Sequence, residues 1–172
     1  ADLPVLRRDR SRQRDAAALA IFIERFRRRH AFRRDRGEAP AWDAIYRSQY
    51  WDVVHSFNTS LEGWLVLVAR RHMAAVDEMS DEEAVELGRL IRRVSLALRE
   101  ATGCVKTYVI QFAESPDHPH VHFHVVPRMA DQPEDHRGPN VFRYLGVADT
   151  ERVAEAKMNN LAAQIRQILL AS

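Results

Sequence analysis

Residues 118–126 read His-Pro-His-Val-His-Phe-His-Val-Val, placing four of the chain's eight histidines within seven residues. From 120 onward the histidines alternate with apolar side chains. In a strand, alternate residues share a face, so Val121, Phe123 and Val125 turn toward a core while the imidazoles form a row on the other side. The run therefore predicts a strand over 121–126 whose polar face is made of imidazole.

Such a row suits phosphoryl chemistry. One neutral imidazole can attack phosphorus in line, and neighbouring N–H groups can donate hydrogen bonds to the charge that gathers on the phosphoryl oxygens. With an ordinary pKa of about 6.5, imidazole is nucleophilic near neutrality and easily protonated one position away. A nucleotidyl-histidine would split one hard displacement into two easier ones.

The rest of the pattern supplies a frame for that strand. Residues 45–57, with Tyr50, Trp51, Val53 and Val54, predict one or two strands; Asn58, Thr59, Ser60 and Gly63 predict a turn, and 64–69 a further strand. Ser80 followed by Glu83 is a capping-box signature. Val85, Leu87, Leu90, Ile91, Val94 and Leu98 then recur at helical spacing until Gly103. Residues 106–112 predict a strand joined to the histidine strand by a loop carrying Ser115, Pro116 and Pro119. A last helix is expected from about Thr150, with Leu161, Ile165, Ile168 and Leu169 on one face. The connections around Asn58 and Ser115 are too short for crossover helices, so the expected class is α+β with a mainly antiparallel sheet of about five strands covered by the long helix.

At 172 residues the chain suits one main domain with an appendage. Residues 1–37 hold twelve Arg against five acidic residues, a local +7, so the formal +2 of the whole leaves −5 for the remainder. Within this segment Leu19, Phe22, Ile23 and Phe26 mark an amphipathic helix over 15–34, broken at Gly37 and Pro40. The expected organisation is an Arg-rich extension over 1–40, a main domain over 41–148 and a C-terminal helix over 149–172. The basic helix has no interleaved aromatic readout residues, so a solvated face or an acidic surface of its own protein is favoured over nucleic acid as its partner. No apolar run approaches the roughly 20 residues of a membrane helix, and the Arg-rich start does not read as a secretory signal. The single Cys104 excludes an internal disulfide framework and a Cys-rich zinc site, in keeping with a reducing, cytoplasmic setting.

The run His120-Val-His122-Phe-His124-Val-Val, continued by Pro127 and Arg128, resembles the motif of the HIT (histidine triad) superfamily, in its fragile-histidine-triad and diadenosine tetraphosphate hydrolase branch. The similarity extends more loosely over 45–128, about half the chain. It implies a HIT-like fold and a nucleotide hydrolase or transferase acting at an α-phosphate of dinucleoside polyphosphates or nucleoside phosphoramidates. His122 would be the nucleophile, with His120 and His124 orienting it and binding phosphate. Asn58 would contact the ribose, and Gln111 and Ser115 the phosphate oxygens or leaving group. His118 adds an imidazole to the loop that could stand in for a missing group. No metal or organic cofactor is required for the attack, though a divalent ion could accompany a polyphosphate. A homodimer through the long helix and neighbouring strand is also implied. One departure stands out: where many relatives carry Gly-His at the start of the second strand, this chain has Gly63-Trp64, so a supporting histidine is absent.

Other readings remain open at this point. Three imidazoles could hold zinc with a fourth position left to water, and the missing histidine fits a nucleotide-binding regulator of the same fold. Asn58 is equally a turn former. His55 and His72 read as structural residues of a strand and a strand end, His30 and His136 carry no signal, and Trp64 reads as core or pocket wall.

Overall fold

Residues 30–112 and 120–171 are described in the computed structural model. Five strands form one antiparallel sheet: β1 (Tyr46–Arg47), β2 (Trp51–His55), β3 (Leu65–Ala69), β4 (Lys106–Ile110) and β5 (His122–Arg128), in the order β1-β2-β3-β5-β4. The long helix α1 (Asp81–Thr102) and the C-terminal helix α2 (Glu155–Ala171) complete the α+β fold. Ser115, His118 and the basic stretch up to Arg29 lie outside the described residues.

Alternation sorts the sheet into two faces. Trp51, Val53, Leu65, Leu67, Ala69, Val121 and Val125 pack against Leu87, Leu90, Val94 and Leu98 of α1 and Leu161, Ala162, Ile165 and Leu169 of α2. The α1 residues step by three or four along the chain, which keeps them on one stripe of the helix. Val85, expected in that stripe, is instead 54% exposed. The apolar stripe begins two residues later, at Leu87.

Both ends of α1 are fixed by the sequence signals that predicted them. Ser80 Oγ accepts from the Glu83 N–H at 3.3 Å, and the Glu83 carboxylate accepts in turn from the Ser80 N–H at 2.8 Å. Arg71 holds the same carboxylate at 2.6 and 2.8 Å and keeps it below the usual range. At the other end Gly103 takes the left-handed conformation, φ 70°, and donates to the Arg99 carbonyl at 2.9 Å.

The C-terminal helix starts at Glu155, five residues later than the spacing suggests. The cause is a tie upstream: the Val153 N–H donates to the Thr59 carbonyl at 2.9 Å. Arg152 just before it is extended, so helix cannot begin there. Residues 30–35 are helical and fastened to the sheet by charge. Arg34 reaches Asp43 at 2.7 Å and Asp52 at 3.1 Å, while Arg47 ties Asp52 to Asp35. Asp43 and Asp52 are buried, and these arginines are their ionic partners.

Candidate active site

Strand register brings the histidines onto the face away from the two helices. Val68 pairs with His122 and Val66 with His124; across β2 the same rows continue to Asp52 and Val54, and across β4 to Ile110. Val54, Val66 and Val68 thus make an apolar floor beside two imidazoles, while Phe123 turns to the core and meets Trp51 edge-on at 5.9 Å.

Hydrogen bonds set the role of each ring nitrogen. His122 Nδ1 lies 2.8 Å from the His120 carbonyl oxygen. A carbonyl only accepts, so Nδ1 carries the proton and Nε2 of the neutral ring holds the lone pair. The His124 ring stands edge-on to His122, with centroids 4.9 Å apart. Its Nδ1 is 3.0 Å from Trp64 Nε1. An indole N–H only donates, so His124 bears its own proton on Nε2. Burial, reinforced by the neighbouring charge of His122, lowers the His124 pKa to about 3. His124 is therefore a neutral N–H donor at physiological pH.

His120 differs from these two. It precedes β5, is 5% exposed, and directs Nε2 to the Ala69 carbonyl at 2.8 Å. Its Nδ1 lies 3.2 Å from His72 Nδ1, with the rings stacked at 5.4 Å. Since Nε2 must donate to the carbonyl, Nδ1 of the neutral ring accepts and His72 donates. Both ring nitrogens of His120 are engaged by the protein, and its carbonyl orients His122. His72, which read as a strand-end structural residue, proves to be the group behind His120.

The turn that delivers Trp64 has its own histidine. His55 Nδ1 meets the Ser56 carbonyl at 2.7 Å and Nε2 accepts from the Gly63 N–H at 2.9 Å. Burial lowers its pKa to about 4, leaving the neutral form that this pair of bonds requires. Gly63 is at φ 88°, and a Cβ there would stand 3.1 Å from Leu98 and 3.2 Å from Pro127. The turn can press against α1 and β5 only because the residue is glycine.

Asn58 lies in this β2–β3 turn. Its Oδ1 accepts from Ser56 Oγ at 3.0 Å and its carbonyl accepts from the Gly146 N–H at 2.9 Å, so the turn-forming role is realised. Gln111 directly follows Ile110, the partner of His124, and is half-buried.

Beyond β5 the chain returns across the sheet. Val141 packs with Trp64 and Val126, joined by Phe142, Tyr144 and Leu145 over Val66, Tyr108 and Ile110. The segment is pinned where Gly138 N–H donates to Tyr108 Oη at 3.1 Å and Ser60 N–H to the Tyr144 carbonyl at 3.0 Å. It walls one end of the histidine face, and Phe142 meets the His124 ring edge-on at 6.1 Å. The sequence alone leaves open whether residues 137–145 fold over the site, because they form short 3₁₀ turns that lack an apolar period. Among the described residues, no group of three or more His, Cys, Asp or Glu is arranged to hold a metal ion.

Residues 36–131 match the HIT domain family. Among solved structures, a hypothetical histidine triad nucleotide-binding protein from Sulfolobus tokodaii superposes with a TM-score of 0.61 at 13% identity, covering 83% of this chain and 91% of that one. The diadenosine triphosphate hydrolase of Plasmodium falciparum superposes at 0.56 with 13% identity, covering 74% and 76%. A zinc-bound histidine triad family protein from Mycobacterium smegmatis does so at 0.55 with 18% identity, covering 79% and 91%. At such identities the likeness is one of fold. No curated protein matches the sequence.

Proposed function

Because the chain belongs to the HIT domain family, we propose that it is a hydrolase or transferase of nucleotides in which His122 Nε2 attacks an α-phosphate. The observation that carries this reading is the bond from His122 Nδ1 to the His120 carbonyl, which leaves the lone pair on Nε2. The same bond steadies the ring as it gains positive charge during attack.

In the first step an Nε2–P bond forms as the bond from phosphorus to the leaving oxygen or nitrogen breaks. The leaving group departs with that electron pair and takes up a proton. Water then attacks the same phosphorus, the P–Nε2 bond breaks, and the nucleoside monophosphate is released with His122 restored. His124 donates from Nε2 to a non-bridging oxygen, where charge gathers in both steps. His120 and His72 hold the nucleophile in its tautomer.

Dinucleoside polyphosphates and nucleoside phosphoramidates are the proposed substrates; the Plasmodium neighbour is named a diadenosine triphosphate hydrolase and the Sulfolobus one a nucleotide-binding protein, which supports the nucleotide part of this reading. Asn58 is assigned to the ribose, and Gln111, Ser115 and His118 to phosphate oxygens or the leaving group. The attack itself calls for no metal, and a divalent ion would serve only to accompany a polyphosphate. The proposed assembly is a homodimer through α1 and β4. The proposed compartment is the cytoplasm; among the described residues no helix is long and apolar enough to cross a membrane.

Replacing His122 with Asn should lower turnover by about 10⁴-fold or more, with nucleotide binding still measurable by calorimetry. Full activity in His122→Asn would refute the assignment. The rival reading, a nucleotide-binding regulator, draws on Trp64 standing where relatives have histidine. It predicts tight binding without hydrolysis across a panel of adenine and guanine dinucleotides and phosphoramidates.

A further inference from the structure

We infer that Phe112 and Phe142 form an aromatic shelf on the β4 side of the histidine row, which binds a planar ring carried by the leaving group. The inference rests on the proposed reaction and adds a subsite to it. Phe112 stands two residues beyond Ile110, the cross-strand partner of His124, and its side chain is 63% exposed. Its ring meets Phe142 at 5.7 Å, inclined by 44°. Phe142 is backed in turn by the fully buried Trp64 at 5.8 Å and by the edge of His124 at 6.1 Å. A chain of rings therefore runs from the core, past the third histidine, to solvent.

The direction of that chain gives it meaning. Strand β5 divides the catalytic face, with β3 and β2 on one side and β4 on the other. Val54, Val68 and the β2–β3 turn that carries Asn58 lie on the first side, where the nucleoside is assigned. The β4 side is then left to the group that departs from phosphorus. A single exposed aromatic ring is ordinary. Here, however, the exposed ring lies against a second ring that is itself backed by Trp64 and His124. Stacking selects planarity and tolerates the identity of the ring. The shelf thus accepts a second nucleobase or an arylalkyl amine and discriminates against saturated groups of equal bulk.

The test compares adenosine 5′-phosphoramidates of 2-phenylethylamine and 2-cyclohexylethylamine, alike in the P–N bond broken and close in size. The wild type should favour the phenyl compound in kcat/KM by about fivefold. Phe112→Leu should bring that ratio close to one, and Phe112→Trp should hold or raise it. A thermal melt verifies that the exposed substitutions leave the fold intact. An unchanged ratio in Phe112→Leu overturns the shelf while the reaction stands. Failure of the wild type to cleave either compound overturns the shelf, and failure on diadenosine polyphosphates as well overturns the proposed reaction with it.

Discussion

A histidine's capacity as nucleophile or donor is decided by the partner of its other nitrogen. His122 faces an acceptor through Nδ1 and so keeps its lone pair on Nε2, whereas His124 faces a donor and keeps a proton there. Alternate spacing in the sequence predicted that His120, His122 and His124 would share a face; His122 and His124 do so on β5, while His120 precedes the strand and turns its ring nitrogens to Ala69 and His72. It could not predict the opposite tautomers of His122 and His124, because the partners come from a carbonyl and from an indole sixty residues away. Trp64 is the instructive case. As a departure from the family pattern it suggested a weakened network, yet its N–H performs the donor's task. Trp64→Phe keeps an apolar ring and removes the donor, which lets His124 occupy either tautomer. We expect kcat to fall about tenfold, the worth of one hydrogen bond, with KM little changed. Trp64→His restores a donor and should recover most of kcat despite a loss of stability from the smaller side chain. Wild-type kcat in Trp64→Phe would show that the indole contributes packing alone.

At the scale of elements, periodicity and end signals were legible wherever local chemistry decides the outcome. The capping box and Gly103 bound α1 where Ser80, Glu83 and the left-handed residue are read in sequence. The start of α2 was not legible, since a hydrogen bond from Val153 to Thr59 overrides local propensity. For the same reason the path of residues 137–145, which carry Phe142, stayed open in the sequence: the segment has no period and is placed by contacts with strands far away in the chain. Strand β4 raises a question that these signals leave aside. It ends the sheet, and Val105, Val109 and Leu96 of the adjoining helix are 42%, 45% and 51% exposed. An end strand with apolar neighbours invites pairing with another copy. The proposed dimer through α1 and β4 predicts that Val109→Lys shifts the mass measured by light scattering from dimer to monomer at micromolar concentration. A wild type that is already monomeric there would remove this assembly.

At the scale of the whole molecule, His55 and His124 sit where burial disfavours the charged ring, and that couples stability to pH. His55 bridges Ser56 and Gly63 inside the β2–β3 turn, and His124 receives the Trp64 N–H; their pKa values fall to about 4 and about 3, in each case chiefly through burial. In the unfolded chain both return to about 6.5. Below that pH the unfolded state takes up protons that the folded state refuses, so unfolding gains free energy. The stabilisation from each ring is therefore complete above about pH 6.5. It is lost as pH falls, through about 4 for His55 and about 3 for His124. The limiting slope is about 1.4 kcal/mol per pH unit for each ring. Carboxylates with ordinary pKa values contribute mainly below about pH 5, so the interval from pH 7 to 5 isolates the histidines. Urea unfolding across it should show a loss of about 2 kcal/mol per buried ring. His55→Gln lowers stability at every pH by disturbing the turn, but it should also roughly halve the loss between pH 7 and 5. A variant with the full wild-type slope would mean that His55 accepts a proton in the folded protein, and that the turn delivering Trp64 to His124 is open to water.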